Sequence, residues 1–426
     1  MISETQMRTA TAPTPLHILT LTPFFPFVAN PVYGTYVSEP VACFGEFGLR
    51  STVIGVSPLH HARRLPAASA PAQWMRYPSR PGNAGLTTAG LFLYWRLLRF
   101  VSALHRRNPI DVIHAHGSLP CGQAAMLLAK RFGVPFVVTI HGLDVFNACF
   151  EPGTSGADRR AQVSSQVYRH AASVICISHA VESILKSGMA DPISSCVIYN
   201  GADPSVFFPE EAPPPDRVPT VLMVGNLLQI KGHETVFKAI AQLTGTVTGR
   251  VTDRVTDKLT EKVTDKVTPR FQSLRCTVIG EGPDRARLEG VAQSLGIADR
   301  VSFLGRQDRP AVARAMREST IFALPSRYEG LGCVYLEAMA SAKPVIACEG
   351  QGIAEIIRHG QNGWLIPVDG VQEMADALCQ LLGSADLRAQ IGAAARQTIL
   401  EGLTVSDQAR HLADLYRAVK QTARQP

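Results

Sequence analysis

The sequence predicts an α/β protein with two parallel-sheet domains, and three observations carry that prediction. Short β-branched apolar runs alternate with helix-length segments along the whole chain, as βαβ units require. The 426 residues are 46% hydrophobic and 18% charged, enough for two domains with a core each. The alternation breaks near the middle, at PSVFFPEEAPPPDRVPT, where proline and acidic residues replace the apolar pattern.

In chain order, residues 1–15 read as a polar tail; they lack the basic start, apolar stretch and cleavage site of a signal peptide. HILTLT, STVIGV, DVIHAH, PFVVTI, SVICIS and SCVIYN are the strands expected of a first domain over residues 16–205. A linker is expected over 206–218. TVLMVGN, CTVIGEG, VSFLG, STIFALP, KPVIAC and GWLIPV then mark a second domain over 219–402. Within it, residues 245–270 contain six tetrads of the VTDK type. Their threonines, alternating charges and lack of aromatics predict an exposed insertion, with an interaction element as the alternative. Residues 403–426 predict an amphipathic C-terminal helix, with Val405, Ala409, Leu412 and Tyr416 on one face. Either domain offers it a packing surface.

Several function classes are disfavoured at this level. No run of about 20 apolar residues suggests a membrane span. The nine cysteines are odd in number and include no C-x-x-C, which fits small buried side chains in a reducing cytoplasm better than disulfides or zinc. Without an Asp-x-Asp or H-E-x-x-H, no metal site is expected. No G-x-G-x-x-G follows the first strand and no G-x-S-x-G occurs, which disfavours a nicotinamide enzyme and a serine hydrolase.

The chemistry concentrates in SRYEGLGCVYLEAMASAKPVIACEGQGIAEIIRHGQNG, residues 326–363. A strand ends in a loop holding Glu329, Gly330, Leu331 and Gly332, and a helix starts at Cys333. Glycines admit a ligand close to the backbone, and free N–H groups of a first helical turn attract an anion. Glu329 lies before that turn and Glu337 is read as lying inside it. Carboxylates repel phosphate, so both suit sugar or ribose hydroxyls. A capped helix with a salt-bridged surface glutamate is the plainer alternative. In VGNLLQIKGHE, Lys231 opens the next helix at the carboxyl edge of a sheet, where it offers a charge to phosphate. The spacing is not that of a P-loop.

The Glu329-x7-Glu337 pattern resembles the signature of retaining nucleotide-sugar glycosyltransferases of the GT-B fold, family 4. VGNLLQIKGH is similar to that family's phosphate-binding loop, and YNGADPSVFFP to its interdomain motif. GEGPDRARLE, VSFLG and EIIRHGQNGWLIP fit its second domain, while TIHGLDVF and FVANPVYGTYV resemble its first-domain loops. The resemblance runs from about residue 16 to about residue 415. It implies two Rossmann-like domains facing across a cleft, and transfer of a hexose-like sugar from a nucleotide diphosphate with retention at the anomeric carbon.

By the same resemblance, Glu337 holds the nucleotide ribose and Glu329 the hydroxyls of the transferred sugar. The backbone of Gly330, Leu331, Gly332 and Cys333 lines the sugar and diphosphate. Lys231 neutralises the departing diphosphate. Arg306 neighbours the base, Gly34 lets backbone amides reach the phosphate, and His141 sits near phosphate and acceptor as a hydrogen-bond donor or proton shuttle. Glu329, His141 and Lys231 are thus the catalytic candidates. His114 and His116 read as structural. Asn226 stands where many relatives have arginine, which removes one charge from the diphosphate site. No cofactor is expected beyond the nucleotide-sugar co-substrate.

The acceptor is argued from charge. Between Phe47 and Leu143 eleven Arg and Lys residues face one acid, Asp111. That balance suits a phosphorylated acceptor, an anionic membrane or a nucleic acid, or no partner at all; no recognition motif supports nucleic acid. LTTAGLFLYWRLLRFVSALHRR, residues 86–107, reads either as a core helix with solvated arginines or as a segment at a membrane interface. The expectation is a cytoplasmic transferase acting on a glycan or lipid-linked acceptor in surface-polysaccharide synthesis, with contact to the inner membrane face. The alternatives are synthesis of a small soluble glycoside or disaccharide, an epimerase of related architecture, and a non-catalytic nucleotide-sugar-binding subunit.

Overall fold

The computed structural model describes residues 15–66, 72–82, 85–142, 144, 157–211, 214, 217–246 and 271–423. Most of the expected N-terminal tail and of the tetrad insertion lies outside the described residues.

The first sheet contains β1 (Leu16–Thr22), β2 (Leu49–Pro58), β3 (Gln73–Tyr77), β4 (Val112–His116), β5 (Phe136–Ile140), β6 (Ser173–Cys176) and β7 (Ser195–Val197). Its order is β3-β2-β1-β4-β5-β6-β7. The second contains β8 (Thr220–Val224), β9 (Arg275–Ile279), β10 (Val301–Phe303), β11 (Ile321–Ala323), β12 (Val345–Cys348) and β13 (Trp364–Ile366), in the order β10-β9-β8-β11-β12-β13. Every neighbouring pair is parallel. Helices cover both faces, which is why central strands such as β4 and β6 are buried at every position.

The twelve apolar runs of the sequence all correspond to strands. The thirteenth, β3, was not anticipated: QWMRY has a mixed pattern because it forms the sheet edge and is half-exposed.

The first domain carries α1 (Thr35–Ala42), α2 (Leu86–Arg107), α3 (Gln123–Phe132), α4 (Ala157–His170) and α5 (His179–Ser187). The second carries α6 (His233–Thr244), α7 (Arg285–Ser294), α8 (Arg309–Glu318), α9 (Cys333–Ala340), α10 (Val371–Gly383) and α11 (Ala385–Leu400). A last helix, α12 (Val405–Thr422), crosses back to the first domain. Thr404 and Asp407 form its capping box. Its Ala409, Leu412, Ala413, Tyr416 and Val419 join a core with Ile18, Val112, Val137 and Ile175 of the first sheet. Lys420 anchors its end on Asp111 at 2.6 Å. The packing left open by the sequence is therefore decided for the first domain, and the chain crosses between domains twice.

In each sheet the strand order reverses once, between β1 and β4 and between β8 and β11. Loops leaving the carboxyl ends at such a switch point splay apart and make a crevice. Among the described residues, no helix is long and apolar enough to cross a membrane.

Candidate active site in the interdomain cleft

The loops from the second sheet's switch point carry Lys231 and Glu329. After β8 the chain makes a turn at Gln229–Lys231 and passes through Gly232 at φ 69°. A Cβ on Gly232 would lie 2.0 Å from the Pro325 carbonyl oxygen, so only glycine lets this loop pack on the one after β11. That packing sets Lys231 Nζ 2.5 Å from Glu329 Oε2, with both side chains mostly buried. The Glu329 N–H donates to Gln351 Oε1 at 2.9 Å, which holds the glutamate loop in place.

Gly332, at φ 80°, starts α9, and no side chain caps the first turn. With no side-chain cap, the leading N–H groups of α9 and the positive end of its dipole are available to an anion. Leu331, whose backbone was expected to line the ligand, is fully buried. Cys333 Sγ accepts from Asn200 Nδ2 at 3.4 Å. Glu337 is not in the first turn, as the sequence reading had it, but in the second. It is buried, and its Oε1 meets Arg309 Nη1 at 2.8 Å.

Arg309 was missed by sequence reasoning. It starts α8 behind an Asp308 N-cap, and its Nη2 donates to Glu39 of α1 at 2.7 Å. Its guanidinium also lies 4.7 Å above the Phe207 ring. One cation thus joins Glu337 to a carboxylate of the other domain. Burial lifts Glu39 to about 7 in spite of Arg309, so a proton takes up part of the charge there. The only sequence signal was the Asp-x-Pro helix start, which says nothing about a partner 270 residues away.

On the facing side, His141 follows β5. Its ring stacks on His116 at 5.3 Å, with His141 Nε2 3.1 Å from His116 Nδ1. Tyr36 and Phe24 flank it at 4.9 and 5.6 Å. Its backbone N–H donates to Asp144 at 2.7 Å. His114 continues the row, 2.7 Å from Thr139 Oγ1 and 2.6 Å from the Tyr416 hydroxyl of α12. Burial pushes His114 and His141 down to about 3 and His116 well below its usual range. The row is therefore neutral at pH 7, and the cations named at the cleft are Lys231 and Arg309. His141 Nδ1 is buried without a partner among the described residues, leaving one hydrogen-bonding position for a ligand.

The two halves touch at the backbone of this histidine and its neighbour Gly142. A Cβ on Gly330 would come 2.9 Å from the His141 carbonyl oxygen, and one on Gly142 3.0 Å from the Tyr328 hydroxyl. Ser178 Oγ donates to the Gly330 carbonyl at 2.6 Å. Glu355 of the second domain accepts the first N–H groups of α5, from His179 at 2.9 Å and Ala180 at 2.6 Å, and the Tyr199 hydroxyl at 2.9 Å. Neither Ser178 nor Glu355 was anticipated.

Lys231, Glu329, Gly330, Gly332, Cys333 and His141 thus come together at the cleft. Gly34 caps α1 at φ 72°, its backbone against that of Phe24. Asn226 is exposed just beyond β8. Arg306 lies beyond β10, half-exposed and 3.1 Å from Glu281. Among the described residues no cluster of three His, Cys, Asp or Glu side chains could hold a metal ion.

Comparison with known proteins adds the following. Residues 33–201 match the family model "Glycosyl transferase 4-like domain" and residues 207–398 the model "Glycosyl transferases group 1". A D-inositol 3-phosphate glycosyltransferase of Jonesia denitrificans is 30% identical over 67% of this chain and 67% of its own length. An N-acetyl-alpha-D-glucosaminyl L-malate synthase of Bacillus anthracis is 26% identical over 70% of this chain and 71% of its own. Among solved structures, sucrose-phosphate synthase from Thermosynechococcus elongatus superposes with a TM-score of 0.75 at 20% identity, covering 96% of this chain and all of that one (100%). HepE of Anabaena in complex with UDP-glucose gives a TM-score of 0.67 at 19% identity over 95% of this chain and 100% of its own.

Proposed function

The chain belongs to the family 4 glycosyltransferases of the GT-B fold and is an enzyme dependent on a nucleotide-diphosphate sugar; from that premise we propose that it transfers a hexose-like sugar, with retention, to a glycan or lipid-linked acceptor in cell-surface polysaccharide synthesis. The observation that carries the reading is the Lys231–Glu329 pair at 2.5 Å, set just before the uncapped α9 in a loop whose Gly330 packs on the His141 carbonyl.

Donor binding puts the diphosphate against the α9 N-terminus. Lys231 then exchanges Glu329 for phosphate oxygens, and Glu329 is released to accept from the sugar hydroxyls. Arg309 holds one oxygen of Glu337, and the other is left for the ribose. As the bond between the anomeric carbon and the diphosphate breaks, negative charge grows on the leaving oxygen, where Lys231 and the helix terminus stabilise it. The acceptor hydroxyl attacks from the same face, and its proton passes to the departing diphosphate. His141 Nδ1 orients the sugar or acceptor by hydrogen bonding. In this reading the enzyme works in the cytoplasm.

The test is nucleotide release from UDP-, GDP- and ADP-sugars with a panel of lipid-linked and glycan acceptors, followed by NMR of the product. An α-linked product from an α-linked donor is expected. An inverted product, or a covalently glycosylated enzyme on mass spectrometry, defeats the front-face mechanism. A second reading, transfer to a small soluble acceptor, is favoured by relatives named for inositol 3-phosphate and L-malate. Turnover with small polyols, sugar phosphates or hydroxy acids, and none with lipid-linked acceptors, would select it.

A further inference from the structure

The first domain has a second concave surface, a groove of about 850 Å³ between the edge strand β3 and the outer side of α2. Trp74, Phe92, Trp95 and Phe100 line it together with Arg63, Arg76, Arg96 and Arg99. None of these residues belongs to the donor site.

The arrangement follows from helix periodicity. Ala89, Gly90, Leu93, Leu97 and Val101 bury one side of α2. A residue about half a turn away lies on the opposite side, where Leu91, Phe92, Trp95, Arg96, Arg99 and Arg106 are all exposed. Trp95 is 68% exposed, Phe92 47% and Leu91 42%. Three large apolar side chains exposed together on one helix face and rimmed by charge have the make-up of an interaction surface. The arginines around them require its occupant to be anionic, and Asp111 is the only acid between Phe47 and Leu143.

The groove is also joined to the cleft. Trp74, which lines it, packs against Phe27 at 5.9 Å and lies 5.0 Å beneath the Arg64 guanidinium. Phe27 meets Tyr33 at 5.8 Å, Tyr33 meets Phe24 at 6.1 Å, and Phe24 meets His141 at 5.6 Å. A continuous row of aromatic side chains therefore runs from the groove to the candidate catalytic histidine.

We propose that the outer face of α2 and the groove beside it dock the protein onto an anionic lipid bilayer, with the aromatic row leading from that surface to the acceptor side of the cleft. A bilayer interface takes tryptophan and phenylalanine at headgroup depth while arginines reach phosphates, whereas a soluble polyanion has no use for Leu91, Phe92 and Trp95. Docking this face brings a lipid-linked acceptor to His141, so the inference rests on the transferase reading and narrows its acceptor to one presented at a membrane.

The experiment is co-sedimentation of the full chain with vesicles of phosphatidylcholine alone or with about 30% phosphatidylglycerol. Wild type, Arg96→Gln/Arg99→Gln and Phe92→Ser/Trp95→Ser are compared, with circular dichroism confirming that each is folded. Wild type is expected to bind the anionic vesicles and release them at high salt. Removing the two arginines should weaken partitioning about 30-fold, and removing the two aromatics at least about tenfold. Binding equal on both vesicle types, no binding, or unchanged binding by either variant overturns the proposal. So does undiminished binding by Phe92→Ser/Trp95→Ser that heparin abolishes, which indicates a soluble polyanion instead. Donor-dependent nucleotide release, measured without vesicles, is expected to be unchanged in both variants. Vesicle binding without nucleotide release from any donor would leave the docking surface standing and reject the transferase reading.

Discussion

Arg309→Met tests the cation that joins Glu337 to Glu39. Arg309 lies 2.8 Å from Glu337 and 2.7 Å from Glu39, with all three side chains mostly buried. Methionine retains the bulk over Phe207 but leaves two carboxylates facing one another. Removing one partner of a buried pair costs about 3–5 kcal/mol. Here part of that is avoided, because Glu39 already titrates near 7 and can bind a proton in place of the arginine. The variant raises Glu39 further above its unfolded value of 4.5, so its native state holds a proton that the unfolded chain has released. The deficit therefore grows as pH rises: about 2 kcal/mol at pH 5.5, where Glu39 is protonated anyway, and about 4 kcal/mol at pH 8. Urea unfolding at both pH values measures it, and Glu39→Gln in the same chain should restore roughly 1–2 kcal/mol at pH 8. With Glu337 no longer held, donor KM should rise about tenfold with a smaller change in kcat. Equal deficits at the two pH values, or no recovery with Glu39→Gln, would refute the coupling.

Four further outcomes are expected. Lys231→Ala should lower kcat about 10²–10³-fold without loss of fold, as measured by nucleotide release, since it removes the charge facing the leaving diphosphate; near-normal kcat would contradict that role. Gly352→Ala would put a methyl group 1.8 Å from the Gly330 carbonyl oxygen, and by pushing the glutamate loop should cost about 2–3 kcal/mol and most of the activity; a variant with wild-type Tm and kcat would show that the Glu329–Gly332 loop need not pack so closely on residue 352. Tyr416→Phe leaves His114 Nδ1 buried without its 2.6 Å partner, and should cost about 1–3 kcal/mol in urea unfolding; a loss under about 0.5 kcal/mol would mean the hydroxyl does not anchor α12. Stability should also rise from pH 5 to about 7 and level above that. Burial holds His114 and His141 near 3, His116 lower and His233 near 4, so the unfolded chain binds protons these native imidazoles refuse. Glu39 at about 7 and Asp144 at about 6 act in the opposite sense. Net uptake on unfolding is about two protons near pH 5.5, a slope of about 3 kcal/mol per pH unit. A flat or falling profile there would show that the imidazoles are not buried neutral.

Much of this protein was legible in one dimension because its determinants are local. A buried parallel strand has to be a short apolar, β-branched run, and twelve of the thirteen strands among the described residues carry that pattern. The edge strand β3 escaped because half-exposed QWMRY has no such constraint. The loops holding Lys231, Glu329 and Gly332 were readable for the same reason: glycines at close backbone contacts and a charge at a strand end are properties of a few consecutive residues, and the switch points then bring those loops together. Among the described residues, the elements of the second domain follow the sequence in order.

Other features depend on residues far apart in the chain. An α12 face of Val405, Ala409, Leu412 and Tyr416 states only that the helix must pack; the first domain takes it because β1, β4, β5 and β6 present an uncovered apolar surface and His114 offers Tyr416 a partner. Arg309 is one of many arginines until α8 and α9 pack and set it between carboxylates 28 residues onward and 270 residues back. Ser178 is locally only the N-cap of α5 and Glu355 an ordinary acid, until the meeting of the domains makes Ser178 a donor to Gly330 and Glu355 an acceptor for the His179 and Ala180 N–H groups. The neutral state of His141 likewise comes from burial by Phe24, Tyr36 and His116, which only the folded first domain assembles. The sequence by itself determined the periodicities, the glycine turns and the loops that carry chemistry, because backbone sterics and local burial act over a few residues. Only the tertiary structure decided the partners and charge states, because Coulomb energy and desolvation depend on distances in space and not along the chain.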